Sequence, residues 1–238
     1  LDEYMSRRDY DGAERHLLYW LEEARLGRDL RGQLMVENEL VGHYRKRGEK
    51  EKAFACADRA MELLSLQEYE GTITYATTCV NIATACNAFG ENERAIELFD
   101  KAREIYEARS ETEKQLLGGL YNNMALTLVS LGRFAQAHAL YEKAIGVMAN
   151  ADHGALEQAI TYLNLADAAE AELGLLDASE TIDRCLETAQ GLLDTPTLVR
   201  DGYYAFVCEK CAPTFEYYGW FAAANDLNER ARAIYERA

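Results

Sequence analysis

Small and apolar positions recur along the chain in a fixed order, once every 40 to 46 residues. Ala13, Ala53, Ala95, Ala137, Ala178 and Ala224 mark the recurrence, in segments such as EKAFACADRAMEL, ERAIELFDKAREI and AQAHALYEKAIGV. Twelve positions before the last five anchors stand Val41, Ala83, Ala125, Ala166 and Ala212, and seven after them stand Ala60, Ala102, Ala144, Cys185 and Ala231. Small side chains at these three places let two helices approach closely. Larger residues fill the gaps: Phe99, Tyr141 and Ile182 four after the anchor, Tyr44, Leu128 and Phe215 nine before it. Ahead of each of these anchors lies a glycine, Gly48, Gly90, Gly132, Gly174 or Gly219. It suits a left-handed helix C-cap, where a side chain would clash. A fixed period of this length marks a solenoid of helix pairs, each pair burying its apolar face against its neighbours.

The pattern predicts second helices near 11–26, 50–65, 92–109, 134–150, 176–193 and 221–237, and first helices near 29–47, 69–89, 112–131, 153–173 and 197–218. Residues 1–8 read as the tail of another first helix. The interval from Ala178 to Ala224 is the longest, and its extra residues are placed around Asp194–Thr197, where Pro196 can open a helix. No domain boundary or low-complexity linker interrupts the pattern. The chain is read as a single solenoid domain over residues 1–238, with five and a half to six helix pairs. It does not begin with methionine, so a longer natural protein is allowed for.

These residues resemble the tetratricopeptide repeat. The segment YNNMALTLVSLGRFAQAHALYEKAI at 121–145 carries its motif almost completely. The period departs from the usual 34 residues and resembles the longer-helix variant of kinesin light chains, of G-protein modulators with Leu-Gly-Asn repeats and of bacterial peptide-sensing regulators. The resemblance implies an all-α, right-handed superhelical solenoid of antiparallel helix pairs, with first helices lining a concave groove. It also implies a protein–protein interaction module that binds a peptide or flexible segment in that groove. Two alternatives stand beside this reading: the peptide-sensing domain of a bacterial regulator, and a self-associating structural array.

Composition narrows the partners. A net charge of −16, from 41 acidic against 25 basic residues, leaves no basic stripe for nucleic acid. It also disfavours anionic membranes. No run of 18 apolar residues exists to span a bilayer. Two prolines favour long uninterrupted helices. The six cysteines are scattered and read as free thiols of a reducing cytoplasm. A protein or peptide partner is expected, with homo-oligomers through the chain ends as a second mode.

The search for chemistry returns little. No phosphate loop, dinucleotide fingerprint or HExxH pair occurs, so no enzyme, no cofactor and no metal are expected. His16, His43, His138 and His153 fall at unrelated places in the repeat. Cys208 and Cys211 form a C-x-x-C, yet zinc would need two further ligands; by register they are inward-facing packing residues. The aromatic-rich end, Tyr203 to Phe221, reads either as filling for an irregular last repeat or as an aromatic interaction surface.

An asparagine series carries the functional expectation. Asn81, Asn123 and Asn164 stand fourteen before their anchors, where helix propensity does not favour asparagine. The same register in the family points into the groove, and an amide there can donate to and accept from an extended peptide backbone. Asn123 is the central rung of this ladder. Helical spacing adds Thr84 and Asn87, then Asn122 and Leu126, then Asp167 as further groove candidates.

Overall fold

The computed structural model describes Tyr4, residues 9–149 and residues 151–237; the expected helix tail at 1–8 therefore lies outside the described residues apart from Tyr4. Among the described residues there are eleven helices and no strand. They fall into two compact units, Leu1–Thr112 and Glu113–Ala238.

The first unit contains α1 (Tyr10–Leu26), the pair α2 (Leu30–Arg47) and α3 (Lys50–Leu66), and the pair α4 (Ile73–Ala88) and α5 (Asn92–Ala108). The second contains three pairs: α6 (Lys114–Ser130) with α7 (Phe134–Met148), α8 (Gly154–Leu173) with α9 (Ser179–Leu193), and α10 (Gly202–Tyr217) with α11 (Phe221–Tyr235). Each unit is an all-α stack of neighbouring helix pairs. No helix among the described residues is long and apolar enough to cross a membrane.

The repeat anchors explain the pairing. Ala13, Ala53, Ala95, Ala137 and Ala224 each stand fourth in a second helix, and each is buried. Val41, Ala83, Ala125, Ala166 and Ala212 are buried opposite them on the first helices. Phe99, Tyr141 and Phe215 are wholly buried in the space the small residues leave, and a phenylalanine so placed contributes about 1.5–3 kcal/mol.

Tight turns set the pairs side by side. Gly48, Gly90, Gly132 and Gly219 adopt φ between 69 and 82°, and the residue after each returns its N–H to the carbonyl five positions back. These bonds are Glu49 to Tyr44 (2.9 Å), Glu91 to Cys86, Arg133 to Leu128 and Trp220 to Phe215 (2.8 Å each). That pattern closes the free carbonyls of a helix end. Between pairs, aspartate or threonine caps start three of the five described first helices: Asp29 accepts from Gly32 N–H at 2.9 Å, Thr72 from Tyr75 at 3.2 Å and Asp201 from Tyr204 at 3.0 Å. Helices α6 and α8 have Glu113 and His153 as N-caps without such a bond.

Three expectations are corrected. Gly174 has φ 82° but ψ 157°, which is not the left-handed cap. Only four positions separate it from Ala178, against five at the other turns, so α9 starts at Ser179 with Ala178 as its N-cap instead of its fourth residue. The first helix of the second pair starts at Ile73, because Glu68 and Gly71 both take positive φ ahead of Thr72. Pro196 opens no helix; residues 195–201 are turn and extended chain, and α10 begins after Asp201.

Candidate functional site

Two asparagine–threonine clasps, one in each unit, occupy the same places in the repeat. In the first unit the Asn38 amide of α2 donates to the Thr78 hydroxyl of α4 at 3.0 Å, and its oxygen accepts from the Asn81 amide at 3.4 Å. In the second, the Asn122 amide of α6 donates to Thr161 of α8 at 2.8 Å, and its oxygen lies 3.5 Å from the Asn164 amide. Both threonine hydroxyls in turn donate to the carbonyl four residues back, Thr74 and Glu157. The threonines are thus satisfied as donor and acceptor while buried at 1% and 0% exposure.

The asparagine series therefore divides. Asn122, expected in the groove, is only 6% exposed and spends its amide on Thr161; it faces the neighbouring first helix. Asn81 and Asn164 are half-buried and held by contacts longer than the usual 2.9–3.0 Å. Asn123, one residue from Asn122 and so about 100° around the helix, is half-exposed, and its side chain has no hydrogen-bond partner among the described residues. Leu126, one turn on, is half-exposed beside it. In the first unit the Thr84 hydroxyl donates to the Val80 carbonyl at 2.8 Å, and the Asn87 amide donates to Asn92 at 3.1 Å.

A second seam joins α8 to α10 in the second unit. Tyr203 donates to Glu157, Tyr217 to Glu170 at 2.9 Å, and the Tyr218 hydroxyl lies 3.0 Å from Asp167 and 2.9 Å from Glu170. One hydroxyl proton serves whichever carboxylate the moment favours. Asp167 is exposed by surface area, but the groups packed around its carboxyl desolvate it and push it above its usual range, and the nearby Glu170 charge adds to that. Desolvation around their hydroxyls also raises the phenols of Tyr218 and Tyr203, and their carboxylate acceptors reinforce the effect. The repeat register marks Asp167 as a groove candidate but does not pair it with a tyrosine. The signal was available in the near-constant displacement of 46 and 47 positions between Glu157 and Tyr203 and between Glu170 and Tyr217, matching the longest repeat interval.

The aromatic-rich end is partly core and partly exposed. Tyr204 and Phe215 are wholly buried, while Phe206, Tyr217 and Phe221 are 51%, 66% and 61% exposed. Cys208 and Cys211 are buried in the core that α10 shares with α8, α9 and α11. Burial raises both thiols, Cys211 to about 12. Among the described residues no group of three His, Cys, Asp or Glu side chains is placed to hold a metal ion.

Comparison with known proteins agrees with the helix pairing. The tetratricopeptide-repeat family model matches residues 74–150. No curated protein matches the chain. Among solved structures, BtubC (BKLC) from P. vanneervenii is 18% identical, with a TM-score of 0.61 over 97% of this chain and 91% of that one. A putative kinesin light chain from Podosopora anserina with nearly identical TPR-like repeats is 19% identical, with a TM-score of 0.56 over 86% of this chain and 96% of that one. At these identities the likeness is one of fold.

Proposed function

Because residues 74–150 are tetratricopeptide repeats, we propose that the chain is a non-catalytic adaptor that holds an extended segment of a partner protein on the first-helix face of its second unit. Repeats of this family generally serve as protein–protein interaction scaffolds. The observation that carries the reading is Asn123: a half-exposed amide without a partner among the described residues, beside the half-exposed Leu126. A free amide offers a donor and an acceptor to one residue of a peptide backbone, and Leu126 offers apolar area next to it.

Asn81, Asn164 and Asn122 support the face instead of lining it, since each is engaged by a neighbouring helix. Backbone capture is then narrower than a three-rung ladder. One amide contributes about 0.5–1.5 kcal/mol against the roughly 8 kcal/mol of a micromolar complex, so side-chain contacts on α6, α8 and α10 supply most of the affinity. Peptide-array mapping with the whole chain tests the proposal. Binding of a defined set of peptides, competed by one another and protecting Asn123 and Leu126 in footprinting, supports it. Absence of any peptide binding refutes it.

A further inference from the structure

The outward stripe of α10 is aromatic and solvent-exposed at both ends. Tyr203, Phe206, Lys210, Pro213 and Tyr217 follow one another at three- and four-residue steps, all exposed, with Phe206 at 51% and Tyr217 at 66%. Tyr203 stacks on Phe206 with ring centroids 6.2 Å apart and meets His153 edge-on at 5.0 Å. At the other end Tyr217 and Tyr218 meet edge-on at 4.9 Å.

Charge decides what suits this face. Between Lys143 and Arg184 the chain has no lysine or arginine, so α8, which packs beside α10, carries Glu157, Asp167, Glu170 and Glu172 without one basic residue. Glu172 meets His138 at 2.8 Å. Glu157, Asp167 and Glu170 have only tyrosine hydroxyls as side-chain partners among the described residues. A hydroxyl satisfies a lone pair but leaves the negative charge uncompensated. Each end of the stripe thus sets bare carboxylate charge against an exposed ring, the combination that receives a guanidinium: a planar fork to the carboxylate and a flat face to the aromatic.

The two ends differ in place by a fixed amount. Glu157 and Glu170 are thirteen residues apart on α8, about 20 Å along a helix, and an extended chain covers that distance in about six residues. Lys210 stands midway along α10, with no ion-pair partner among the described residues, and it repels a cation there.

We propose that the α8–α10 face binds an extended protein segment carrying two arginines about six positions apart with no basic residue between them. One arginine sits at Glu157 with Tyr203 and Phe206, the other at Asp167 and Glu170 with Tyr217. This rests on the peptide-binding reading above and names its ligand chemistry. A cation at the second position also offsets the Glu170 charge, which adds to the desolvation that raises Asp167.

Fluorescence polarisation with four capped ten-residue peptides in a Gly-Ser background tests it. Two carry arginines six or three positions apart, one carries citrulline at the six-apart positions, and one adds a third arginine midway. The six-apart peptide is expected to bind at least tenfold tighter than the citrulline and three-apart peptides, and to weaken as salt rises. It should lose at least tenfold on Asp167→Asn with Glu170→Gln, whose amides still accept the tyrosine protons and preserve the seam. Lys210→Gln should improve the three-arginine peptide selectively. Equal binding of the citrulline peptide, no binding of any arginine peptide, or indifference to the neutralised pair overturns the inference. The peptide-binding reading fails separately: array-selected peptides that bind without basic residues and respond to Asn123→Ala leave it standing while this ligand assignment falls.

Discussion

Asn122 donates its amide proton to the Thr161 hydroxyl across 2.8 Å, and both side chains are closed to solvent. Asn38 and Thr78 repeat the bond at 3.0 Å in the first unit, where Asn38 is only half-buried. Neighbouring first helices are therefore fixed in register by a polar bond as well as by packing.

Thr161→Val removes the acceptor and leaves a buried amide donor unmatched, so it should cost about 1–3 kcal/mol of unfolding free energy. Thr78→Val should cost less, about 0.5–1.5 kcal/mol, because water can reach Asn38. Pairing Thr161→Val with Asn122→Leu should recover part of the loss, since the buried amide donor is gone and the half-buried Asn164 amide, which loses its 3.5 Å acceptor, can turn to water. Urea unfolding reads all three; an equal cost at both clasps would contradict the burial argument.

Two glycines should respond differently to the same added methyl group. Gly90 has φ 79° and open space around it, so Gly90→Ala meets only the backbone cost of the left-handed conformation, about 1–2 kcal/mol. Gly154 opens α8, where a Cβ would overlap the Met148 carbonyl oxygen. Gly154→Ala should cost about 3 kcal/mol, at the upper end for overpacking. Denaturation midpoints in the opposite order would count against the packing described for the α7–α8 connection.

His43 should make stability depend on pH. It is buried at 5% exposure against Tyr44, with Glu14, Glu49, Lys46 and Arg47 around it. Burial holds its pKa below the ordinary 6.5. The unfolded chain then takes up the proton first, so stability from neutral His43 is complete above about pH 6.5 and is lost as pH falls through the lower folded value. Between pH 7.5 and 5, wild-type stability should fall more steeply than that of His43→Leu; parallel curves would show that His43 does not titrate as described.

The buried carboxylate of Glu37 depends on its arginines. Arg59 donates to it at 2.7 Å and Arg25 at 3.4 Å, while its second oxygen is buried without a partner. Arg59→Met should cost about 1.5–3 kcal/mol, the range for a hydrogen bond to a charged group, and Arg25→Met clearly less. Thermal or urea unfolding of the two variants checks the ranking.

The helix pairs were legible because close helix approach leaves no choice of side chain. An alanine at each anchor follows from close approach and a glycine at each turn from the positive φ required there, and both recur wherever the geometry does. Gly174 shows the limit: the residue type repeats, but with one residue fewer before Ala178 the backbone takes another route and α9 starts later. The asparagine face was less legible for a rotational reason. Asn122 and Asn123 are adjacent in sequence, yet a turn of about 100° makes one a buried clasp and the other an open amide. The tyrosine seam between α8 and α10 escaped notice because it pairs unlike residues across the irregular interval, where no repeated residue type marks it.

Calorimetric titration of one array-selected peptide into wild type, Asn123→Ala and Asn164→Ala, with unfolding curves for all three, tests the proposed binding face most directly. Asn123→Ala should weaken binding three- to tenfold, about 1 kcal/mol, and leave the melting temperature nearly unchanged, because the Asn123 side chain has no hydrogen-bond partner among the described residues. Asn164→Ala should touch stability first and binding little, since its amide faces Asn122. Unchanged binding in Asn123→Ala, or a stability loss of about 2 kcal/mol or more on the scale of a core defect, would make Asn123 a structural residue and remove the basis of the binding face.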